Sequence, residues 1–502
     1  MNLEDLRRRA QAFTEDVSRE GYLAYSGLKS EAALQGIYTR YPDLMAEECL
    51  ADCIGRFREA PAGSEDARTA RMMLEWQLEA RVGRRLAPMD EREVVLENSS
   101  VIRVADGREI PYQRAAIEIA NSGDAAEREA IDSARAAVAE KTFAPLHRER
   151  LTIERDAVAS LGVAESYNAT FEILSGISLS RLRGECESFL RDTSGMWSSV
   201  LSEHLASAGL KRGEATRADS LALFRMSQFD DAFPASSMEA VIRRNCEEMG
   251  LDPTAGGKII FDLADRPGKR ARAFCSPVRV PEEVYLVLRP LGGQSDYGTF
   301  LHELGHALHF ANTRSDYPFE YRFLGDNSVT EGYAMLFDHR TARREWLQRY
   351  TGLDRKRADD FLRHSGFEEL HFVRRYCAKL LYEIEVYGGS TSWDSLPDVY
   401  TETLADATGF RYRPEDAFLD LDPRFYSTRY LRAWQLQALL DEGLVERFNE
   451  DWWRNPATGP WLVGELFAEG QRESASELAH RVAGADISFG PITRRIEALL
   501  SA

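Results

Sequence analysis

The feature that most limits this chain is a run near its middle, Phe300-Leu301-His302-Glu303-Leu304-Gly305-His306-Ala307-Leu308-His309. It follows the breaker pair Gly292-Gly293, and Ser295 or Asp296 stands where a helix cap belongs. Phe300, Leu301, Leu304 and Leu308 recur at three- and four-residue spacings, which predicts a helix with one apolar face. Positions four apart on a helix lie about 40° apart in azimuth and ~6 Å along the axis. The imidazoles of His302 and His306 therefore reach one ion from the same side. Glu303 is turned about 100° from His302, so it can handle a proton beside that ion without competing as a ligand. Three of the chain's nine histidines fall within eight residues here, which makes an accidental core helix a poor explanation. His309 shares the face but lies ~10.5 Å along the axis from His302. That is too far for the same ion, and His309 is expected to pack or to hydrogen-bond.

A tetrahedral ion that does chemistry needs a third protein ligand and an open position for water. A second helix is expected from Ser328 through Asp338, and Glu331 is its best candidate ligand. Local sequence supports two readings of Glu331: a ligand, or the acidic member of a capping box with Ser328. Asp338, two turns on, either hydrogen-bonds a ligand imidazole or pairs with a neighbouring arginine. Tyr426 and Tyr430 are four apart and share a helix face. Locally they look like aromatic core, although a phenol aimed at a metal would stabilise an oxyanion. His364 and His371 are expected to be structural.

At 502 residues the chain is long enough for two lobes, expected as a helical lobe over 1–250 and a catalytic lobe over 251–502. Most of it reads as charged amphipathic helix, including Met72–Arg85, Tyr112–Lys141, Ser178–Gly209 and Ser236–Gly250. Strand character is confined to Lys258–Phe261 and Glu283–Leu288, with Lys269–Cys275 between them. The expected class is mainly α, with a small β-sheet beside the motif helix. That sheet either pairs with an extended peptide as an added strand or only buttresses the helix. A formal net charge of −19 argues against nucleic-acid binding, which needs a basic face. The six cysteines are scattered, so reduced core thiols are expected. Met1–Arg9 lacks the apolar run of a secretory signal. No stretch approaches the ~20 apolar residues of a membrane span, and a cytoplasmic location is expected.

Together these pieces resemble the gluzincin oligopeptidases related to thimet oligopeptidase and oligoendopeptidase F. More distantly they are similar to angiotensin-converting enzyme and the large bacterial zinc carboxypeptidases. His302 to His309 is nearly that family's His-Glu-x-Gly-His-x-x-His, and Glu331 follows His306 by 25 residues, the family's spacing for its third ligand. Lys269–Cys275 resembles the strand ahead of the metal helix, and Tyr426–Tyr430 the substrate-facing tyrosines. The resemblance is strong over 255–345, fainter to about 470, and before residue 250 rests on helical character alone. It implies one Zn2+ per chain on His302, His306 and Glu331, with Glu303 as general base. It implies Tyr430, with Tyr426, as oxyanion donors, and Ala271, Arg272, Ala273 and Phe274 as the strand aligning substrate. The implied fold is a helical ellipsoid divided by a deep channel that admits short unstructured peptides. One departure stands out: relatives carry a histidine shortly before the tyrosines, and Ala417–Asp422 contains none. The resulting expectation is a zinc metallopeptidase cutting within oligopeptides. The rivals are a zinc carboxypeptidase or dipeptidyl carboxypeptidase, with Arg424, Arg429 and Arg432 available as a clamp, and a peptide-binding protein without turnover. The intact Glu303 weighs against the last.

Overall fold

Polar side-chain caps set the starts of several helices in this chain. The computed structural model describes residues 1–502. Helix α1 (Leu3–Tyr25) begins where the Asn2 side chain accepts from the Asp5 amide. Helix α2 (Glu65–Ser99) is capped by Ser64 and extends the helix expected over Met72–Arg85 in both directions. The single helix expected over Tyr112–Lys141 is broken at Ser122–Asp124, because Asp124 caps a new helix, Ala125–Val138, by accepting from the Ala126 amide. Ser178–Gly209 likewise holds two helices, Leu179–Asp192 and Ser194–Ser207, which meet at Thr193. A hairpin absent from the sequence reading, β1 (Val101–Arg103) with β2 (Glu109–Pro111), pairs antiparallel after α2.

The larger sheet leads into the motif helix, as expected. Its strands are β3 (Ile259–Asp262), β4 (Phe274–Arg279) and β5 (Glu283–Val287), in the order β3-β5-β4. β5 runs parallel to β3 and antiparallel to β4. The strand expected over Ala271–Phe274 starts only at Phe274. The reason is the partner: Phe274 pairs with Val287, the last residue of β5, after which Arg289-Pro290 carries the chain away. Ala271, Arg272 and Ala273 are therefore a non-strand approach to β4. Lys269 fixes the loop before it, donating from Nζ to the backbone oxygens of Asp262 (2.8 Å), Ala264 (2.9 Å) and Leu288 (2.9 Å). A buried ammonium needs such partners, and this one closes the loop ends together.

Four further helices build the site: α3 (Gln294–Asn312), α4 (Asn327–Asp338), α5 (Arg355–Gly388) and α6 (Tyr426–Phe448). Gly293, not Ser295, holds the N-cap position of α3, while the Asp296 carboxylate reaches back to the Leu291 and Gly292 amides. Phe300, Leu301, Leu304 and Leu308 are fully buried in one core with residues of α4 and α6. Glycine sets how closely these helices approach. A Cβ on Gly305 would lie 2.6 Å from the Ala334 Cα of α4, and one on Gly332 would lie 2.9 Å from Leu436 of α6. Such overlaps cost about 1–3 kcal/mol when the packing cannot yield. The Gly305 between the two motif histidines is thus what brings α4 against them.

The three largest cores each draw on residues from both sides of position 250. Leu6 and Phe13 share one with Phe319, and Leu201 and Leu205 share another with α5. No helix is long and apolar enough to cross a membrane. The six cysteines are unpaired, and five of them are buried.

Candidate metal centre

Helix α3 presents His302 and His306 side by side, and α4 brings Glu331 to meet them. Glu331 Oε2 lies 3.4 Å from His302 Nε2 and 3.5 Å from His306 Nε2. The three ligand atoms all lie within 4.8 Å of one another, so this group could hold a metal ion. Each remaining polar atom of the triad has its own partner. His302 Nδ1 meets Asp338 Oδ2 at 2.8 Å, and His306 Nδ1 meets Thr330 Oγ1 at 2.8 Å. Tyr426 donates its hydroxyl to Glu331 Oε1 at 2.8 Å. Both Nε2 atoms are left pointing toward Glu331 Oε2, which is itself buried without a hydrogen bond. Such an orphaned carboxylate oxygen costs roughly 1–3 kcal/mol unless something binds it. Burial alone would raise the Glu331 carboxyl, but His306 and His302 outweigh it and hold the group well below the usual carboxylate range.

The capping-box reading of Glu331 is overturned. Helix α4 starts one residue earlier than expected, and Asp326 is its cap, accepting from the Ser328 amide at 3.0 Å. The Ser328 hydroxyl has no partner. Asp338 pairs with no arginine; its second oxygen bonds His339 Nδ1. From there the network continues through His339 Nε2 to Glu369 Oε1 at 3.3 Å, and from Glu369 to Arg495. Burial would raise the Asp338 carboxyl, yet His339 and His302 keep it low. Conversely, His339 is held up at about 9 by Asp338, against its own burial.

Two clefts meet at His302 and Glu303, and Arg272, Ala273 and Tyr430 line both. One cleft is walled by the faces of α5 and α6 that carry Phe372, Tyr376 and Trp434. The other runs past Arg270, Phe274 and Pro277 toward His306 and Thr330. Glu303 opens to both clefts and carries no hydrogen bond or ion pair of its own. Burial would lower the Arg272 guanidinium, but nearby Tyr430, Tyr376 and Glu303 raise it. Burial, then Glu331, pushes the Tyr430 phenol up, so it keeps its proton.

The structure gathers His302, Glu303, His306, Glu331, Asp338, Tyr426 and Tyr430 around one point, with Arg272, Ala273 and Phe274 on the cleft walls. Ala271 is exposed and lines neither cleft. Tyr426 is engaged by Glu331, which leaves Tyr430 as the free phenol. Arg424, Arg429 and Arg432 are taken by acids away from both clefts: Glu79 at 3.3 Å, Asp326 at 2.7 Å, and Asp326 at 3.7 Å. His309 is buried against Phe310, Tyr333 and Phe467, as a packing residue should be. Thr330, Arg270, Tyr376 and Glu368 escaped the sequence reading. Thr330 had a usable signal, since it directly precedes the ligand candidate; the others are set by tertiary packing.

No protein-family profile matches this chain. No curated protein matches it either. Among solved structures, one titled "BsuCP Crystal Structure" is similar, with a TM-score of 0.57 at 14% sequence identity. The match covers 99% of this chain and 97% of that one, so the two share an overall fold from end to end. Identity that low speaks for the fold alone.

Proposed function

We propose that this chain is a zinc metallopeptidase that hydrolyses peptide bonds in short, unstructured oligopeptides. One observation carries the reading: Glu331 Oε2, which accepts no hydrogen bond, stands 3.4 and 3.5 Å from two imidazole Nε2 atoms beside an unpaired Glu303. Two ligands at about 2.0–2.1 Å from a tetrahedral Zn2+ stand ~3.4 Å apart. Two imidazoles and a carboxylate are also the donor set of a catalytic zinc site. His302, His306 and Glu331 would hold the ion. When bound it supplies a Lewis acid for the scissile carbonyl and makes water acidic enough to attack near neutral pH.

The chain's own groups do the rest. Asp338 and Thr330 fix both rings at Nδ1, so Nε2 is the atom each ring offers. Tyr426 keeps Glu331 turned by holding its other oxygen. Glu303 accepts the proton of the attacking water and returns it to the leaving amine nitrogen. Tyr430 and Arg272, which line the same clefts, donate to the carbonyl oxygen as it gains charge. Arg272 and Tyr430 supply those donors here, where Ala417–Asp422 contributes no histidine. The free carboxylate of Glu303 speaks against a binding protein without turnover, which has no use for a base at that point.

Removal of C-terminal residues is a second reading, favoured by Arg270. Arg270 lines the cleft that reaches His306, with its guanidinium 3.6 Å from Glu97 and 4.6 Å from the centre of the Tyr25 ring. Digesting one peptide as free acid and as amide separates the two: equal cutting supports internal cleavage, and dependence on the acid supports the carboxypeptidase. The proposal itself is tested by mass-spectrometric mapping of cuts in a mixed peptide library, with and without a chelator. Chelator-sensitive cutting that Glu303→Gln abolishes, by about 10²–10⁴-fold in kcat, is the expected outcome. A zinc-loaded sample that leaves every peptide intact contradicts it.

A further inference from the structure

The wall facing the histidine helix holds an acidic group that the reaction above leaves unused. Helix α5 lines the first cleft with Phe361, Ser365, Glu368, Phe372 and Tyr376, which recur at three- and four-residue spacings and so form one helix face. The rings of Tyr430 and Trp434, four apart on α6, close the same space. Most of the other charged groups in this cleft are accounted for. Asp338 bonds His302 and His339, and Glu369 bonds Arg495 and His339. Arg272 lies against Tyr430, and Glu303 serves the reaction. Glu368 has no hydrogen bond and no ion pair; it senses only Asp338, His339 and Glu369, of which two are acids.

A half-buried carboxyl with no counter-ion, set among aromatic rings, is a costly thing to leave in a cleft. Burial, then Asp338, pushes this one up to about 8, so near neutral pH it is largely protonated until a cation beside it favours the ionised form. Its neighbour on the chain, Glu369, shows what a structural carboxylate looks like here: paired on both sides and held low, at about 2, by Arg495 and His339 against burial. We infer that Glu368 anchors a cationic group of the bound peptide, an ammonium or guanidinium, in the cleft formed by α5 and α6. The aromatic side chains around it suit such an occupant, because a desolvated cation is drawn to ring faces as well as to the carboxylate. The chain's net charge of −19 favours the approach of cationic peptides in the same sense. Two sources supply this chemistry, the N-terminal ammonium of the peptide and a lysine or arginine side chain. The inference rests on the peptidase reading for the identity of its ligand.

The test uses one peptide in four forms: N-terminus free or acetylated, and lysine or norleucine at an internal position. Binding is measured by fluorescence anisotropy on the zinc-loaded Glu303→Gln protein, and cleavage on the wild type. Removing whichever cation occupies the cleft is expected to weaken binding about tenfold. The form that weakens names the source. Glu368→Gln in the same background brings the four peptides to within about twofold, and Glu368→Lys reverses the order. Equal binding of all four peptides, or a preference that survives both Glu368 variants, overturns the assignment. A Glu368-dependent binding preference together with no cleavage by the wild type would sink the peptidase reading and leave Glu368 as a cation anchor. Cleavage of all four peptides without preference would do the reverse.

Discussion

Two sets of histidines sit in this molecule, and their surroundings differ in one respect that decides what each can do. At the α3–α4 contact, His302 and His306 each have Nδ1 occupied, by Asp338 and Thr330, and each turns Nε2 toward the same carboxylate oxygen. In the cores, His309 and His371 are buried but unserved. Neither ring nitrogen of His309 has a partner, and His371 Nδ1 has none, packed among Trp197, Phe224 and Phe410. Burial lowers His309 to about 3 and His371 well below the usual range, so both stay neutral. A ligand histidine is thus recognised by polar support behind it and a convergent acceptor ahead of it. Proximity to the motif is not enough, as His309 demonstrates from the same helix.

The comparison breaks most sharply at the ligands. His306→Ala should lose zinc binding by more than the ~10–100-fold that a supporting partner is worth, read by equilibrium dialysis. Zinc retention in that variant would merge the two sets. Next comes the support itself. Asp338→Ala frees His302 Nδ1 and should weaken zinc by about 10–100-fold while leaving the fold intact by circular dichroism. An unchanged affinity would reduce the Asp338 contact to a surface ion pair. Tyr426→Phe removes one hydrogen bond to Glu331 and should cost only ~0.5–1.5 kcal/mol in zinc binding. The smallest effect on zinc, none, is expected from His309→Leu.

That last variant should show itself in acid instead. The folded pKa of His309 is depressed to about 3, so between its unfolded value of ~6.5 and 3 the unfolded chain takes up a proton that the native chain refuses. Stability therefore falls as pH drops through that window, by up to ~1.4 kcal/mol per pH unit from this group. His309→Leu should flatten the slope in urea titrations at several pH values. An unaltered slope would mean that His309 is not the neutral packing residue described.

Much of this was legible in the chain because it rests on local spacing. His302, Glu303 and His306 need only helical periodicity, and the apolar face of α3 fell where its leucines put it. Glu331 was harder. Its neighbours offered an equally good cap, and what removed that option was Asp326, just before Ser328 and fixed by the distant Arg429. Phe274 as a strand start depended on where β5 runs out of partners, which no single segment encodes. Tyr426 on Glu331, and Glu368 without a partner, are products of how α4, α5 and α6 meet. Gly305 lies between these cases. The residue is plain in the sequence, but its purpose is visible only once Ala334 is seen against it.

The most direct test of the account is zinc K-edge X-ray absorption on the zinc-loaded wild-type protein at one equivalent per chain. The expected first shell is two imidazole nitrogens with oxygen from Glu331 and water, all near ~2.0–2.1 Å. A sulfur shell near ~2.3 Å, drawn from the chain's free cysteines, or a failure to take up zinc at all, would contradict it.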